Sequence, residues 1–256
     1  MNLVRRLLVA VFLVLPAAGA VLAQSAEDRG YEIAKRAKDL TESYSDFVAN
    51  GRIVIRLRGG RELERRFDFK ARHASSGLQT LLVFDWPGDI RGTGLLTLGN
   101  AGRNDDQWMY LPAARTVRRI NGATRSRAFL GSEFSYEDMA EFALEDFSYV
   151  WLRDEACCHV VEARPNFSSD YARQVIWFGI ESGLPVQVEF FPKRGSKLKV
   201  LSIASYSNYG GVWRPRVMQI SNFRTGASTE LSWSNFRFDV GLRGSEFTPR
   251  ALERER

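Results

Sequence analysis

Hydrophobic residues change their spacing once along the chain, which divides it into a helical and an extended part. In residues 26–49 the apolar positions recur every three or four residues and charged residues lie between them; the apolar ones are Ile33, Ala34, Ala37, Leu40 and Tyr44. This pattern predicts an amphipathic helix over residues 26–49. Asn50-Gly51 follows, a pair typical of a helix end, so we expect the helix to stop there.

From Arg52 onward apolar and polar positions alternate, which is typical of half-buried antiparallel strands. Gly59-Gly60 separates the first two segments as a hairpin turn would, and Leu63, Phe67 and Phe69 share one face of the second. Strands are predicted over residues 52–58, 62–71, 78–85, 93–98, 107–111, 116–120, 149–153, 158–164, 172–180, 186–191, 197–206, 214–223 and 228–239. Because open strand edges invite aggregation, so long a meander favours closure or near-closure into a barrel.

A helical pattern interrupts the strands between Phe134 and Leu144. Ser135 is a typical N-cap, and Asp138 three residues later can supply the other half of a capping box. Three residues then fall on one face of the predicted helix: Met139, Phe142 and Ala143. No repeat or linker divides the chain, so we expect one domain over residues 24–256.

The N-terminus has the pattern of an export signal. Arg5 and Arg6 precede an apolar run over residues 7–15, and Val21-Leu22-Ala23 forms a small-residue cleavage site. A membrane anchor is the alternative, but Pro16 and Gly19 interrupt a run that falls short of the roughly 20 apolar residues a spanning helix needs. We therefore predict a signal peptide over residues 1–23 that is cleaved after Ala23. Gln24 stands where a lipoprotein has its acylated cysteine, so no lipid anchor is expected.

The charge balance is mildly basic. The formal net charge is +6, and loss of Arg5 and Arg6 with the signal peptide would lower it to +4. This charge suits contact with anionic lipids or acidic proteins, whereas export makes nucleic acid an implausible partner.

Motifs for catalysis are missing from the sequence. It contains no G-x-S-x-G elbow, H-E-x-x-H helix or P-loop, and Ser196-Lys197-Leu198-Lys199 matches S-x-x-K without the companion motifs. Clustered Glu137, Asp138 and Glu141 are explained by the preference for acidic residues at a helix start. We therefore expect a non-enzymatic protein with no catalytic residue, cofactor or metal.

The two cysteines, Cys157 and Cys158, are adjacent. Neighbours in a strand point to opposite faces with Cα atoms about 3.8 Å apart, closer than most disulfides prefer. One buried and one outward thiol is therefore the favoured interpretation, and a vicinal disulfide is the alternative. His159 follows, but with His73 as the second of two histidines a zinc site lacks its usual four ligands.

Arg65 lies in an apolar row, on the same face as Leu63, Phe67 and Phe69. An arginine on an apolar face is costly unless it is paired or reaches water. One interpretation is a contact with a ligand head group or a latch on a lid; the favoured alternative is an arginine near a strand end that extends to solvent.

Five arginines lie within thirteen residues, on both sides of the turn signal Asn121-Gly122: Arg115, Arg118, Arg119, Arg125 and Arg127. A solvated hairpin is the simpler interpretation, because charge runs are usually exposed. The functional alternative is a contact surface for an anionic membrane or an acidic partner protein.

Several motifs together resemble one known family. They are L-x-V-F-D-x-P-x-D-x-R-G-T at residues 81–93, W-M-Y-L-P-A at 108–113, R-R-I at 118–120, G-S-E-F-S-Y-E-D at 131–138, Y-G-G-V-W-R-P at 209–215, Thr225-Gly226 with Thr229, and Phe247-Thr248. As a set they resemble the outer-membrane lipoprotein-sorting protein family, in particular its periplasmic LolA-like branch, which is often associated with exporters of the resistance-nodulation-division type.

The resemblance implies a mainly β fold of the LolA/LolB type. This is an incomplete, strongly curved antiparallel β-barrel of about eleven strands, with helices that cover its concave side and a hydrophobic cavity between them. The residues expected to line that cavity are Phe67, Phe69, Leu81, Val83, Leu95, Trp108, Tyr110, Phe134, Met139 and Phe142, with Arg65 as a latch or head-group contact. The aromatic residues among them are equally compatible with plain core.

The function that the resemblance implies is that of a monomeric periplasmic carrier. It would bind a lipid or a lipidated protein and take part in lipoprotein or lipid trafficking between an inner-membrane exporter and an outer-membrane acceptor. The alternative is an accessory protein that docks on such an exporter, or on another envelope complex, through the arginine-rich hairpin.

Overall fold

The computed structural model describes residues 24–100, 103–140 and 143–254. The predicted signal peptide and Phe142 lie outside these ranges. In the described part of the chain, no helix is both long enough and apolar enough to span a bilayer.

The alternating segments form one antiparallel sheet of thirteen strands rather than about eleven. They are β1 Asp46–Arg56, β2 Glu62–Ala74, β3 Gly77–Trp86, β4 Gly94–Leu98, β5 Asp106–Leu111, β6 Thr116–Ile120, β7 Phe147–Asp154, β8 Cys158–Pro165, β9 Tyr171–Gly179, β10 Pro185–Pro192, β11 Lys199–Tyr209, β12 Val212–Asn222 and β13 Ser228–Phe238.

The strand order leaves the barrel open. Strands that follow each other in sequence pair with each other, except that β6 and β7 are not joined and β1 pairs with β13. β6 and β7 are therefore the two edges of a curled sheet, which confirms the expected incomplete antiparallel barrel.

The long helix α1 spans Ala26–Thr41, so the prediction that it continues to residue 49 is wrong. Ser25 caps its start by accepting the Asp28 N–H at 3.0 Å. The reason for the early end lies in tertiary contacts of Asp46, the first residue of β1. Its buried carboxylate accepts the backbone N–H groups of Val240, Gly241 and Leu242, which fixes residues 45–47 beside the end of β13.

Asn50-Gly51 lies inside β1 instead of at a helix end. A Cβ atom at Gly51 would come within 2.0 Å of the Phe67 ring on β2, so this glycine provides space for an aromatic side chain. The same residue pair that signals a turn in the sequence therefore serves close packing in the fold.

Helix α1 covers the edge strand β7. Gly30 allows the close approach, because a Cβ there would lie 2.7 Å from the Trp151 backbone nitrogen. Ala34 and Ala37 pack with residues of β8, β9 and the turn before β7, namely Val161, Phe178 and Leu144.

Two apolar clusters occupy opposite faces of the first half of the sheet. The inner cluster includes Phe47, Ile55, Phe67 and Phe84 together with aromatic residues from the segment between β6 and β7. The outer cluster packs Leu81, Leu96 and Tyr110 beneath Phe247 and Leu252 of the C-terminal segment, where Pro249–Leu252 form the short helix α3. The sheet is thus covered on both faces here.

Cys157 and Cys158 form a disulfide, which corrects the favoured interpretation of two free thiols. Cys157 lies in the turn between β7 and β8, and Cys158 is the first residue of β8. The turn is closed by hydrogen bonds in both directions between the backbones of Glu155 and Cys158, at 2.8 and 3.2 Å. The alternation expected inside a regular strand therefore does not apply to this pair.

Candidate functional site

The segment between β6 and β7 closes the inner face of the sheet. We call residues 121–140 the covering segment. It begins with the single turn α2, Gly122–Arg125, and then folds back on itself with a bridge between Ala128 and Ser135. Phe129, Phe134 and Tyr136 project from it into the inner cluster and are almost fully buried. It is therefore a cover made mainly of turns.

The predicted helix over residues 134–144 is not formed in the part that the structure describes. The predicted capping contacts do exist, because the Asp138 carboxylate accepts the Ser135 N–H at 2.7 Å and the Ser135 hydroxyl accepts the Asp138 N–H at 3.1 Å. Residues 136–140 nevertheless form a turn and a bend. Asp138 is drawn to the sheet instead, by partners on β9 and β11.

A buried ion pair joins the covering segment to β11. Lys199 Nζ lies 2.5 Å from Asp138 Oδ2, and both side chains are 5% exposed. The Tyr171 hydroxyl donates to Asp138 Oδ1 at 2.8 Å, and the Lys199 ammonium lies over the rings of Tyr171 and Phe190, 5.2 and 5.6 Å from their centroids. Burial raises the pKa of Tyr171 far above its usual value. A buried pair is tolerated only when its remaining polar valences are filled, as they are here.

Two glutamates beside this pair tie the covering segment to further strands. The Glu133 N–H donates to the Thr229 hydroxyl of β13 at 2.9 Å, and Asn222 of β12 donates to the Glu133 carboxylate at 2.6 Å. Glu137 accepts the Ser169 hydroxyl and, at 3.4 Å, the Asp170 N–H. Burial raises the pKa of Glu137. The covering segment is thus anchored from β9 to β13.

The first half of the sheet supplies separate anchors. Arg65 of β2 donates to the Leu130 carbonyl of the covering segment, and burial lowers the pKa of its guanidinium. Leu130 has φ +48°, a left-handed conformation that is costly for a residue with a side chain. Gln107 of β5 donates to the Tyr136 carbonyl at 3.0 Å. The covering segment therefore bridges both halves of the open barrel.

A cavity of about 330 Å³ lies beneath residues 134–140, between them and the sheet. Its apolar walls include Phe69, Phe134, Met139, Leu201, Met218 and Trp233. Glu42, Asp138 and Arg214 add polar groups. The volume is at the small end of the range of ligand sites, about 300–1,000 Å³.

The structure separates the ten residues predicted to line the cavity. Phe69, Phe134 and Met139 line it, while Phe67 and Leu95 pack in the inner cluster beside it. Phe142 lies outside the described residues. Four face the other side of the sheet, which corrects their prediction: Leu81, Val83, Trp108 and Tyr110. The error arose because β3 and β5 are apolar on both faces, so the alternation does not reveal which face is inside. Lys199 was missed as a site residue, although a lysine that begins an otherwise uncharged strand is a detectable signal.

The arginine cluster is also divided. Arg125 is buried and donates to the Asp105 carbonyl at 2.8 Å, which corrects the expectation, common to both interpretations of the cluster, that it is exposed. Arg119 binds the Asp106 carboxylate and lies over the Trp108 ring. Arg115, Arg118 and Arg127 are exposed.

Asp105, beside Arg125, is a buried carboxylate, and its burial disfavours the charged form. Burial raises its pKa to about 7, although the Asn100 N–H, at 3.2 Å from Oδ1, and the charge of Arg125 oppose the shift. Its Oδ2 atom is buried without a hydrogen-bond partner among the described residues. In the same part of the chain, no group of three or more His, Cys, Asp or Glu residues is arranged to hold a metal ion.

Comparisons with known proteins agree on the fold. A protein-family model described as an uncharacterized protein matches residues 77–254. A structure from Vibrio parahaemolyticus, provisionally described as an outer membrane lipoprotein-sorting protein domain, is 34% identical with a TM-score of 0.84, covering 89% of this chain and 99% of that one. A DUF1329 family protein from Desulfovibrio piger is 30% identical with a TM-score of 0.85, at the same coverage of both chains.

A more distant structure has a similar fold, and its likeness to this chain is evidence for the fold only. A LolA superfamily protein from Nitrosomonas europaea is 20% identical, with a TM-score of 0.72 over 86% of this chain and 97% of that one. No curated protein sequence shows significant similarity to the chain.

The buried pair predicts a specific pattern of stability changes. Lys199→Met and Asp138→Asn should each lower the free energy of unfolding by about 3–5 kcal/mol, because each leaves the charge of the buried partner uncompensated. Combining Lys199→Met with Asp138→Asn should cost less than the sum of the two single losses. Urea denaturation measures all of these values. Lys35→Met, at an exposed helix pair with Asp39, is the control and should change stability by less than about 0.5 kcal/mol. Additive losses in the double variant would contradict the assigned role of the pair.

Asp105 predicts a fall in stability with rising pH. Its folded pKa of about 7 exceeds the unfolded value near 3.8, so the folded state retains a proton that the unfolded state releases. The free energy of unfolding should fall between about pH 4 and pH 7. Above that range Asp105 is ionised in both states, and its contribution should no longer change with pH. Asp105→Asn should therefore be more stable than the parent at pH 8 by about 1–3 kcal/mol and similar to it at pH 4.

The neighbouring Asp106 provides the control for this pH profile. Partial burial raises the pKa of Asp106, but hydrogen bonds from Arg119, Arg103 and Asn100 outweigh it and lower the net value. Asp106→Asn should therefore lose stability at pH 8 relative to the parent. Thermal unfolding across this pH range measures both variants, and an unchanged slope in Asp105→Asn would refute the assignment.

Proposed function

The chain belongs to the outer-membrane lipoprotein-sorting protein family, and on that basis we propose that it is a non-enzymatic periplasmic carrier that encloses a lipid or lipidated cargo beneath the covering segment. One observation carries the proposal: an apolar cavity is bounded on one side by a segment that is not part of the sheet. A carrier needs such an arrangement, because its cargo must enter and leave while the scaffold persists.

The energetics of apolar transfer support this role. Burying one methylene of an acyl chain recovers about 0.8 kcal/mol, so a chain of moderate length provides enough free energy to displace a segment held by several hydrogen bonds. Each of those hydrogen bonds contributes about 0.5–1.5 kcal/mol net, because its groups return to water when the segment leaves. Outward movement of Phe129, Phe134 and Tyr136 would also enlarge the cavity, since these three side chains fill the inner face beside it.

The polar groups at the site favour a structural role, in which they hold the covering segment in place, over a catalytic one. Lys199 is engaged with Asp138 and with the Glu133 carbonyl, and Glu137 is engaged with Ser169. A nucleophile or a general base would need a free reacting atom directed into the cavity. These side chains instead fix the position of the covering segment.

Lipid bound to the gently purified protein tests the proposal. Native mass spectrometry and solvent extraction should find an apolar ligand in the parent protein. Ile203→Trp, which places a large ring in the cavity, should reduce that ligand about ten-fold or more, at a cost of about 1–3 kcal/mol in stability from overpacking. Leu152→Trp, at an exposed position on β7, is the matched control and should retain the parent's lipid content. A protein that stays empty when exposed to lipids would overturn the proposal.

A further inference from the structure

Three neighbouring turns at one end of the sheet form a basic surface. They are residues 57–61 between β1 and β2, 193–197 between β10 and β11, and 223–226 between β12 and β13, and together we call them the basic rim. Their sequences contain six basic residues and no acidic residue: Arg58, Arg61, Lys193, Arg194, Lys197 and Arg224.

Contacts between the turns show that they lie side by side. The Phe223 N–H donates to the Leu198 carbonyl at 3.0 Å, which joins the second turn to the third. A Cβ atom at Gly226 would lie 3.4 Å from Arg58 Cδ, so the first turn touches the third. Strand pairing places β1 next to β13 and β12 next to β11, in agreement with these contacts.

The positive charge of the rim is not neutralised by the fold. Lys197 pairs with Glu189 at 2.7 Å. The other five basic side chains are exposed and form no ion pair with another described residue. The fold elsewhere pairs its surface charges repeatedly, for example Arg52 with Glu64 and Arg56 with Glu62. The rim is therefore open to an external anion.

An aromatic side chain projects from the middle of the basic rim. Phe223 is 60% exposed, the largest exposure among the described large hydrophobic residues, and Leu57 in the first turn is 38% exposed. Single apolar tips of this kind are too small to form the core of a stable protein interface, which buries about 1,600 Å² in total. A bilayer surface accepts them readily, because aromatic groups enter the head-group region while cations contact lipid phosphates.

The basic rim also adjoins the covering segment. A groove of about 560 Å³ runs between Ser132 and Glu133 of the covering segment and Lys193, Arg194 and Arg224 of the rim. Anything that binds to the basic rim would therefore lie next to the covering segment, which closes the cavity.

We infer that the basic rim is a docking surface for anionic lipid bilayers, with the Phe223 side chain inserted at the head-group level. This inference goes beyond the carrier function, since the rim would bind a bilayer whatever occupies the cavity. Binding is weak, reversible and sensitive to salt, as expected of a few cations and one inserted ring.

Co-sedimentation with vesicles tests the inference. The parent protein should bind vesicles of phosphatidylglycerol and phosphatidylethanolamine, and bind vesicles of phosphatidylcholine much less. Each basic side chain near such a surface strengthens binding about five-fold, so Arg194→Gln combined with Arg224→Gln should weaken it about 25-fold. Phe223→Ser should weaken it about ten-fold. All three substitutions are at exposed positions, and circular dichroism verifies that the variants remain folded.

The control is Arg216→Gln combined with Arg237→Gln. It makes the same change in net charge at exposed positions of β12 and β13 away from the rim, and its affinity should stay within about two-fold of the parent's. The parent protein and all variants are compared with the same N-terminus, so that differences in vesicle binding arise from the substitutions. Equal binding to phosphatidylcholine, unchanged binding after Phe223→Ser, or an equal loss in the control would each overturn the inference. Loss of vesicle binding with retained bound lipid separates this test from that of the carrier function.

Discussion

The buried ion pair between Lys199 and Asp138 is the interaction on which the position of the covering segment depends. The sheet is open between β6 and β7, and its inner face carries large aromatic side chains that must be kept from water. The covering segment provides that protection without any strand pairing to the sheet edges. Lys199 and Asp138 therefore join the covering segment to the interior strand β11, where no strand pairing holds it. Tyr171 and the turn at Ser135 hold the aspartate in place for the lysine.

Anchors on both halves of the sheet hold the covering segment in the described position, and the proposed carrier function requires a second, open state in equilibrium with it. In the described position it satisfies polar groups of β2, β5, β11, β12 and β13. In the proposed open state those groups would return to water while the thirteen strands kept their pairing. A cargo that binds the open state better shifts this balance by its difference in affinity. Docking of the basic rim on a bilayer, as inferred above, would place that bilayer beside the covering segment.

Much of the fold could be predicted from the sequence, because alternating apolar residues specify strands directly. The details that failed depend on contacts distant in sequence. The end of α1 is set by Asp46 binding the chain near residue 241, and the Asn50-Gly51 pair makes room for Phe67. Leu81 and Tyr110 were placed on the wrong face because the C-terminal segment buries the outer face as well. Ser135 and Asp138 have the pattern of a helix cap, yet Lys199, 61 residues away, draws Asp138 into the core.

Amide hydrogen exchange of the lipid-free protein tests the central claim, that the covering segment opens as a unit while the sheet stays folded. The account predicts that amides of residues 127–140 exchange through a shared opening at least about ten-fold more often than those of β1 and β2, with weaker dependence on denaturant. Bound lipid should change the exchange of residues 127–140 and leave that of β1 unchanged. If residues 127–140 exchanged only with global unfolding, at the rate of the β1 amides, the covering segment would be a fixed part of the core and the account would be contradicted.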